Sequence, residues 1–314
     1  MKITCYGPRG SLPSPTRKEF STYRYGGDTS CYYVEAGPFK IILDCGSGAR
    51  VLGQDLMKNG TIGEHFITLI SHYHWDHIQG MPFCVPFFIP SNKFHFHGHT
   101  PPGEEPGHLK SAVERMLSQQ QSTPHFPVAH ESLPGTMFYD AHPRQFSETF
   151  YYYYTADEGF GYVPPGAGIS YWESGEPCIK ITTIPLNHPD GCLGYRIEYE
   201  GKVAVYCTDN EPLRHNNAQI TKHGKNADWL LLDGQYKESQ LANGSQTFGH
   251  GTPNACVAQA DACRAKHLVI HHHDPDHDDD TVDDMYVAAT EYASGLGFPG
   301  RVEFARTDST WELV

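Results

Sequence analysis

The chain has no apolar run long enough to cross a bilayer, no C-x-x-C pair and no Lys/Arg-rich stretch. Each absence closes off a class of protein. A membrane span needs about 20 consecutive apolar residues, so no membrane partner is expected. Met1-Lys2-Ile3-Thr4-Cys5-Tyr6 reads as a strand and lacks the apolar core of a signal peptide. Nine cysteines, at 5, 31, 45, 84, 178, 192, 207, 256 and 263, are odd in number and dispersed. That arrangement predicts reduced thiols in a cytoplasmic protein, several of them serving as small hydrophobes inside strands. Basic residues are scarce as well: 23 Lys and Arg stand against 37 Asp and Glu, a formal net charge of −14. Long nucleic acids are held largely by cations that neutralise phosphates. Such a partner is not expected here, whereas a small anionic substrate is compatible with the charge. Assembly state is open, a homodimer included.

Histidine is what the chain has in quantity, 20 in 314 residues. His72-Tyr73-His74-Trp75-Asp76-His77 gathers three imidazoles and a carboxylate directly after the apolar run Phe66-Ile67-Thr68-Leu69-Ile70. A strand ending in such a cluster presents several metal-binding side chains at the edge of a sheet. Four other places repeat this design: Asp44 follows Ile41-Ile42-Leu43, His188 follows 181–186, Asp209 follows 203–206, and His271-His272-His273 follows Leu268-Val269-Ile270. In layered α/β proteins, strand ends are where sites are assembled. His72, His74 and His188 would supply three nitrogens for one ion. Asp76, His77 and one of His271, His272 and His273 would hold another, and Asp209 has two oxygens with which to bridge them. Mixed imidazole and carboxylate ligation suits zinc, and also iron or manganese. Two such divalent ions would polarise a substrate oxygen and supply hydroxide near neutral pH.

The surrounding sequence reads as α/β. Strands are expected at 2–6, 31–36, 40–45, 65–71, 179–184, 194–199, 202–206, 229–232 and 268–270, with helices at 49–59, 108–121 (Leu109, Ala112, Val113, Met116 and Leu117 at helical spacing), 253–265 and from about 281. Residues 81–178, broken by Pro and Gly, are expected to form an insertion or lid over the site within a single domain, 1–314. His95 and His97 alternate on a strand and would face one side of that lid without forming a metal site. The acidic run 274–280 lacks the Gly and Glu of a calcium loop and is expected to cap the next helix.

In order and context these motifs resemble the metallo-β-lactamase-fold superfamily, over residues 2 to about 285. The resemblance implies an αβ/βα sandwich with two mixed sheets flanked by helices and a two-metal site along one edge. Gly7-Pro8-Arg9-Gly10-Ser11-Leu12-Pro13, Gly26-Gly27-Asp28-Thr29-Ser30-Cys31 and Ser71 to Pro82 are similar to the branch containing RNase Z and the cyclic phosphodiesterase of phosphonate breakdown. It implies His72, His74 and His188 for the first metal, Asp76, His77 and His272 for the second, Asp209 as the bridge, and Asp44 as the group that orients a ligand imidazole. His250, in Gly249-His250-Gly251-Thr252, would be a general acid for the leaving oxygen. Residues 28–30 would line a phosphate pocket with their backbone N–H groups.

There are departures from that branch. Leu232-Asp233-Gly234-Gln235 stands where RNase Z carries His-Glu-Ala-Thr, and His188 and Asp209 are 21 positions apart, too close for a tRNA-binding arm. The expected activity is therefore hydrolysis of a small phosphodiester such as a cyclic nucleotide or cyclic phosphate. Lactone, thioester or β-lactam hydrolysis, mononuclear iron oxygenation and a non-catalytic accessory role are the rival readings.

Overall fold

The computed structural model describes residues 1–103, 111–157, 159–167, 175–212, 217–242 and 248–313. Two mixed β-sheets face one another. The first takes β1 (Lys2–Gly7), β2 (Cys31–Ala36), β3 (Phe39–Leu43), β4 (His65–Leu69), β5 (Lys93–His99) and β6 (Thr136–His142). The second takes β7 (Thr149–Thr155), β8 (Gly159–Val163), β9 (Cys178–Leu186), β10 (Cys192–Tyr199), β11 (Lys202–Cys207), β12 (Trp229–Asp233), β13 (His267–His271) and β14 (Arg301–Phe304). The chain then returns through β15 (Thr310–Glu312) to pair with β1. Strand order is β15-β1-β2-β3-β4-β5-β6 in one sheet and β14-β13-β12-β11-β10-β9-β7-β8 in the other. Pairing from β3 to β6 and from β11 to β14 is parallel.

Helices cover the outer faces: α1 (Gly48–Lys58), α2 (Trp75–Ile78) and α3 (Ala112–Gln120), then α4 (Asn217–His223), α5 (Glu238–Ala242), α6 (Pro253–Cys263) and α7 (Asp279–Leu296). This layering explains the continuous apolar strands. In β4, Ile67 and Leu69 pack between the sheets, while Phe66 packs on the other face with Leu52 of α1 and Val113 of α3. In β12 and β13, Leu231 and Val269 face the other sheet, and Leu230, Leu268 and Ile270 face α6 and α7. A strand buried on both faces has no place for alternation with polar residues. Truncating Leu69 to Ala in this setting costs about 2–5 kcal/mol, enough to disturb the strand that delivers the histidines.

Helix ends follow local chemistry. Thr252 caps α6 by accepting from Ala255 N, with Pro253 in the first turn. Asp278 caps α7 by accepting from Thr281 N at 2.9 Å, the capping role expected for the acidic run. Of the helix expected at 108–121, α3 occupies 112–120; Leu109 lies outside the described residues.

Residues 81–178 differ from the expected insertion or lid. They contribute β5 and β6 to the edge of the first sheet and β7 and β8 to the edge of the second. The reason is two-sided burial of β5: Phe94 and Phe96 pack among residues of α1 and α3, so His95 and His97 point into the sandwich. There His95 Nε2 lies 2.6 Å from Asp140 Oδ2, and His97 lies between His142 Nε2 at 2.9 Å and the Tyr152 hydroxyl at 2.6 Å. Both nitrogens of His97 lie within hydrogen-bond distance of these partners, a network at one edge of the sandwich, while His95, His97 and Asp140 are also near enough to one another to hold an ion. No helix among the described residues is long and apolar enough to cross a membrane.

Candidate metal centre

Each side chain of the centre stands where a strand has run out. β4 leads through Ile70 and Ser71 to His72 and His74, and α2 then places Asp76 and His77 in its single turn. His188 comes two residues after β9, Asp209 two after β11, and His272 directly after β13. All of these except His74 are buried.

Two groups of donor atoms converge on opposite oxygens of one carboxylate. In the first, His74 Nδ1 and His188 Nε2 are 3.1 Å apart, and His72 Nε2 and His188 Nε2 lie 3.5 and 3.6 Å from Asp209 Oδ2. In the second, His77 Nε2 and His272 Nε2 are 3.3 Å apart and lie 3.2 and 3.0 Å from Asp209 Oδ1. Asp76 Oδ2 is 3.2 Å from each of those nitrogens.

Hydrogen bonds on the far side of three of the rings orient them. His77 Nδ1 donates to Asp44 Oδ2 at 2.7 Å, His272 Nδ1 to Gln235 Oε1 at 2.9 Å, and His188 Nδ1 to the Gly249 carbonyl at 3.0 Å. Each leaves Nε2 turned inward, the nitrogen that would ligate a metal. Asp44 is itself fixed by the Ser71 amide, the Ser71 hydroxyl and the Tyr206 hydroxyl, each at 2.7 Å. It therefore occupies the orienting position expected of it.

Burial would lower His77, but the carboxylates of Asp76, Asp209 and Asp44 outweigh it and hold this imidazole well above its ordinary value, so a metal ion there would have to displace its proton. Burial alone would raise the carboxyls of Asp76 and Asp209, but the surrounding imidazoles, His77 and His272 among them, hold both well below the usual carboxylate range. Burial, and then the neighbouring His77, hold His72 well below its ordinary value and so neutral. His72 Nε2 is sealed from solvent without a hydrogen-bond partner. An orphaned buried acceptor of this kind calls for a missing partner, and a divalent ion among these donors supplies one. The residues present fit divalent metal ions.

The N-terminal loop locks the second group in place. Ser11 N donates to Asp76 Oδ2 at 2.7 Å, and the amides of His272 and His273 donate to the Pro8 carbonyl at 2.8 and 3.1 Å. A Cβ on Gly10 would stand 2.1 Å from the His272 ring, so only glycine leaves the imidazole its position. Arg9 anchors the loop from beneath by donating to the carbonyls of Gly26, Asp274 and His277.

Of the His triplet, only His272 enters the centre. His272 adopts φ +65° and turns away from the strand, whereas His271 is buried against Tyr32 and Tyr206, and His273 Nε2 donates to the Ala305 carbonyl at 2.8 Å. Residues 28–30 do not line the pocket as expected. Asp28 Oδ1 accepts from the Ser47 hydroxyl at 2.7 Å and Thr29 Oγ1 from the Ser47 amide at 2.8 Å, which commits this turn to the start of α1.

His250 borders the centre, its ring stacked on His272 with centroids 4.9 Å apart. Nδ1 donates to Asp233 Oδ2 at 2.8 Å. Burial would lower this imidazole, but the Asp233 carboxylate outweighs burial and raises it to about 9. Asp233 and His250 are near enough to Asp209 and His272 to make a further donor group, yet the bond to Asp233 already occupies His250 Nδ1. Sequence reasoning passed over Asp233 and Gln235 as replacements for an absent motif. The signal was present: Asp233 ends the apolar strand Trp229-Leu230-Leu231-Leu232, the same design as Asp44 and Asp209. A pocket of about 380 Å³ opens onto the centre, lined by Ser11, Tyr73, His74, Asp209, His250 and His272 among others.

Two facing mixed sheets, flanking helices and a His/Asp centre on their strand ends constitute the metallo-β-lactamase fold. Residues 163–273 match the Beta-lactamase superfamily domain. The chain is similar over its length to a metallo-β-lactamase-fold protein, YhfI of Bacillus subtilis, with 19% identity, TM-score 0.62 and 99% and 98% of the two chains covered. It is similar to the short form of human tRNase Z, with 18% identity, TM-score 0.61 and 100% of both chains covered. A diphosphatase of the PhnP family is similar too, with 16% identity, TM-score 0.62 and coverage of 100% and 98%. No curated protein matches the chain by sequence.

Proposed function

We propose that this chain is a two-metal hydrolase that cleaves a phosphodiester in a small anionic molecule such as a cyclic nucleotide or cyclic phosphate. The observation that carries the reading is the division of Asp209, one oxygen toward His72, His74 and His188 and the other toward His77, His272 and Asp76. The first set would hold one ion and the second another, zinc being the best match to this mixture of imidazole and carboxylate. When bound, such ions polarise phosphoryl oxygens and make water acidic enough to act as a nucleophile near neutral pH. Among the described residues no lysine or arginine lines the pocket, so there the charge of a phosphate falls to that metal site and to the neighbouring histidines.

His250 supplies the second half of the chemistry. Its Nδ1–H is held by Asp233, which leaves Nε2 to carry a proton and release it to a departing alkoxide. Alkoxides leave poorly without that proton, which favours a diester over an activated ester as the substrate. Likeness to tRNase Z and to a PhnP-family diphosphatase supports a phosphorus substrate. The net charge of −14 and the short span from His188 to Asp209 favour a small one.

The test is metal analysis of purified protein followed by turnover of a substrate panel. Two ions per chain and hydrolysis of cyclic nucleotides or cyclic phosphates are expected. Turnover confined to lactones or thioesters, or oxygen-dependent turnover with one iron, overturns the phosphodiester assignment. Efficient removal of a precursor tRNA 3′ trailer at physiological salt overturns the small-substrate part.

A further inference from the structure

Beside the metal pocket lies a groove of about 590 Å³, and Tyr73 and Trp75 line both. One wall follows directly from the ligand run and includes Trp75, Gln79 and Phe83; the other is built by Met116 and Gln119 of α3 and by Phe126 beyond it. Trp75 is 75% exposed and Phe83 56%, an unusual display of aromatic surface beside a polar centre. Phe126 meets Phe83 edge to face, ring centroids 5.6 Å apart at 87°. Trp75 sits between His74 and Asp76, so its backbone is fixed by ligands on either side.

The lining defines the occupant. Among the described residues it holds indole, phenyl and thioether surfaces together with carboxamides and the His125 imidazole, and no Lys, Arg, Asp or Glu. An uncharged flat ring finds aromatic faces to stack on there, with the amides of Gln79 and Gln119 and the His125 imidazole for its polar edge. The volume is within the range of about 300–1,000 Å³ typical of small-molecule sites. Tyr73 and Trp75 line both the groove and the metal pocket, so the two cavities adjoin and one molecule can reach from one into the other.

We propose that this groove is the subsite for a flat heteroaromatic ring of nucleobase type, carried by the substrate whose phosphate enters the metal pocket. The assignment rests on the phosphodiester reading above and narrows it to ring-bearing diesters. Stacking on aromatic side chains tolerates any base because every base offers a π-face, so the groove selects for a ring and not for one particular base.

Binding to zinc-loaded protein tests this apart from turnover. Adenosine 5′-monophosphate, ribose 5-phosphate and octyl phosphate are titrated by calorimetry and by indole fluorescence. The nucleotide is expected to bind roughly 5- to 100-fold more tightly than ribose 5-phosphate, the range of one stacking contact, and to quench fluorescence. Trp75→Ala should collapse that ratio and abolish the quench. Trp75→Phe should keep most of the ratio while losing the quench. Phe126→Ala, outside the ligand run, should lower the ratio with Trp75 intact. Equal binding of nucleotide and ribose 5-phosphate without quenching overturns the groove assignment, even if cyclic phosphates are hydrolysed. Octyl phosphate matching or exceeding the nucleotide overturns it in favour of an alkyl chain. Ring-dependent binding and quenching without turnover of any diester upholds the groove and overturns the phosphodiesterase reading.

Discussion

Asp233 Oδ2 lies 2.8 Å from Nδ1 of His250, and this bond determines which nitrogen of His250 remains to act. Asp233 is held in turn by the Gln235 amide at 3.0 Å and the Asn210 amide at 3.3 Å. The pair therefore behaves as one oriented unit beside the metal ligands. Loss of His250 should matter most where the leaving group needs a proton. His250→Ala is expected to slow hydrolysis of an alkyl phosphodiester by about 10²–10⁴-fold, with much smaller loss on a nitrophenyl ester whose leaving group is stable as an anion. Asp233→Asn should follow the same substrate order with a smaller loss, since the amide keeps a contact but not the charge. Steady-state kinetics on the two substrates decide the matter. Equal losses on both would assign His250 to substrate binding or to support of the centre.

Asp209 is the residue that both donor groups share. Removing its carboxylate takes one oxygen from each donor group, so Asp209→Ala should lower bound zinc from two ions to one or none and abolish activity. Replacement of His188, which faces only the first group, should cost one ion. Elemental analysis of dialysed protein reads both results. One tightly held ion in fully active wild type would sink the two-metal arrangement.

The convergence of these side chains was readable from the sequence because each directly follows an apolar strand, and adjacency in the chain carries that information. His272 was chosen over His271 and His273 by resemblance and by the alternation of flanking strand residues; the structural cause is a left-handed turn at His272, which no periodicity reveals. Asp233 obeyed the same strand-end rule as Asp209 and was passed over because it occupied the place of a different motif. Residues 81–178 hid their architecture for another reason. Phe94-His95-Phe96-His97 alternates as a strand should, but its parallel pairing of Phe94 with Met137 and of Phe96 with Tyr139 joins residues 43 apart. Nothing local announces such a partner, and polar histidines on an inward face resemble a surface pattern until Asp140, His142 and Tyr152 are seen opposite them.

Gly10 gives a prediction independent of catalytic residues. A methyl group at this position would lie 2.1 Å from the His272 ring, far inside contact distance, and the ring is buried on its other sides. Either the ring or the 8–11 loop must shift, and the loop is tied by Ser11 N to Asp76. Gly10→Ala should therefore weaken the second ion selectively, by about tenfold or more, the range seen when groups supporting a metal site are disturbed. Chelator competition reads it as one weakened and one unchanged site. Two sites of wild-type affinity would mean that the loop yields without disturbing His272.

The histidines away from the centre predict an acid limit to stability. Burial, reinforced by His95 and Lys93, lowers His65 to about 4, and burial lowers His99 to about 4. Burial and the neighbouring His95 hold His97 well below its ordinary value. All three stay neutral in the folded protein under conditions where the unfolded chain, with histidines titrating near about 6.5, takes up protons. Stability rises with pH wherever the unfolded state binds more protons. Their contribution is therefore fully present above about pH 6.5 and is lost progressively as pH falls toward 4. Thermal unfolding of EDTA-treated protein, in which ion release plays no part, should show a falling midpoint from pH 7 to pH 5. His65→Gln and His99→Gln each remove one such proton uptake and should flatten that slope. A wild-type midpoint that stays constant over this interval, or a slope unchanged in both variants, would mean that other groups govern the acid transition.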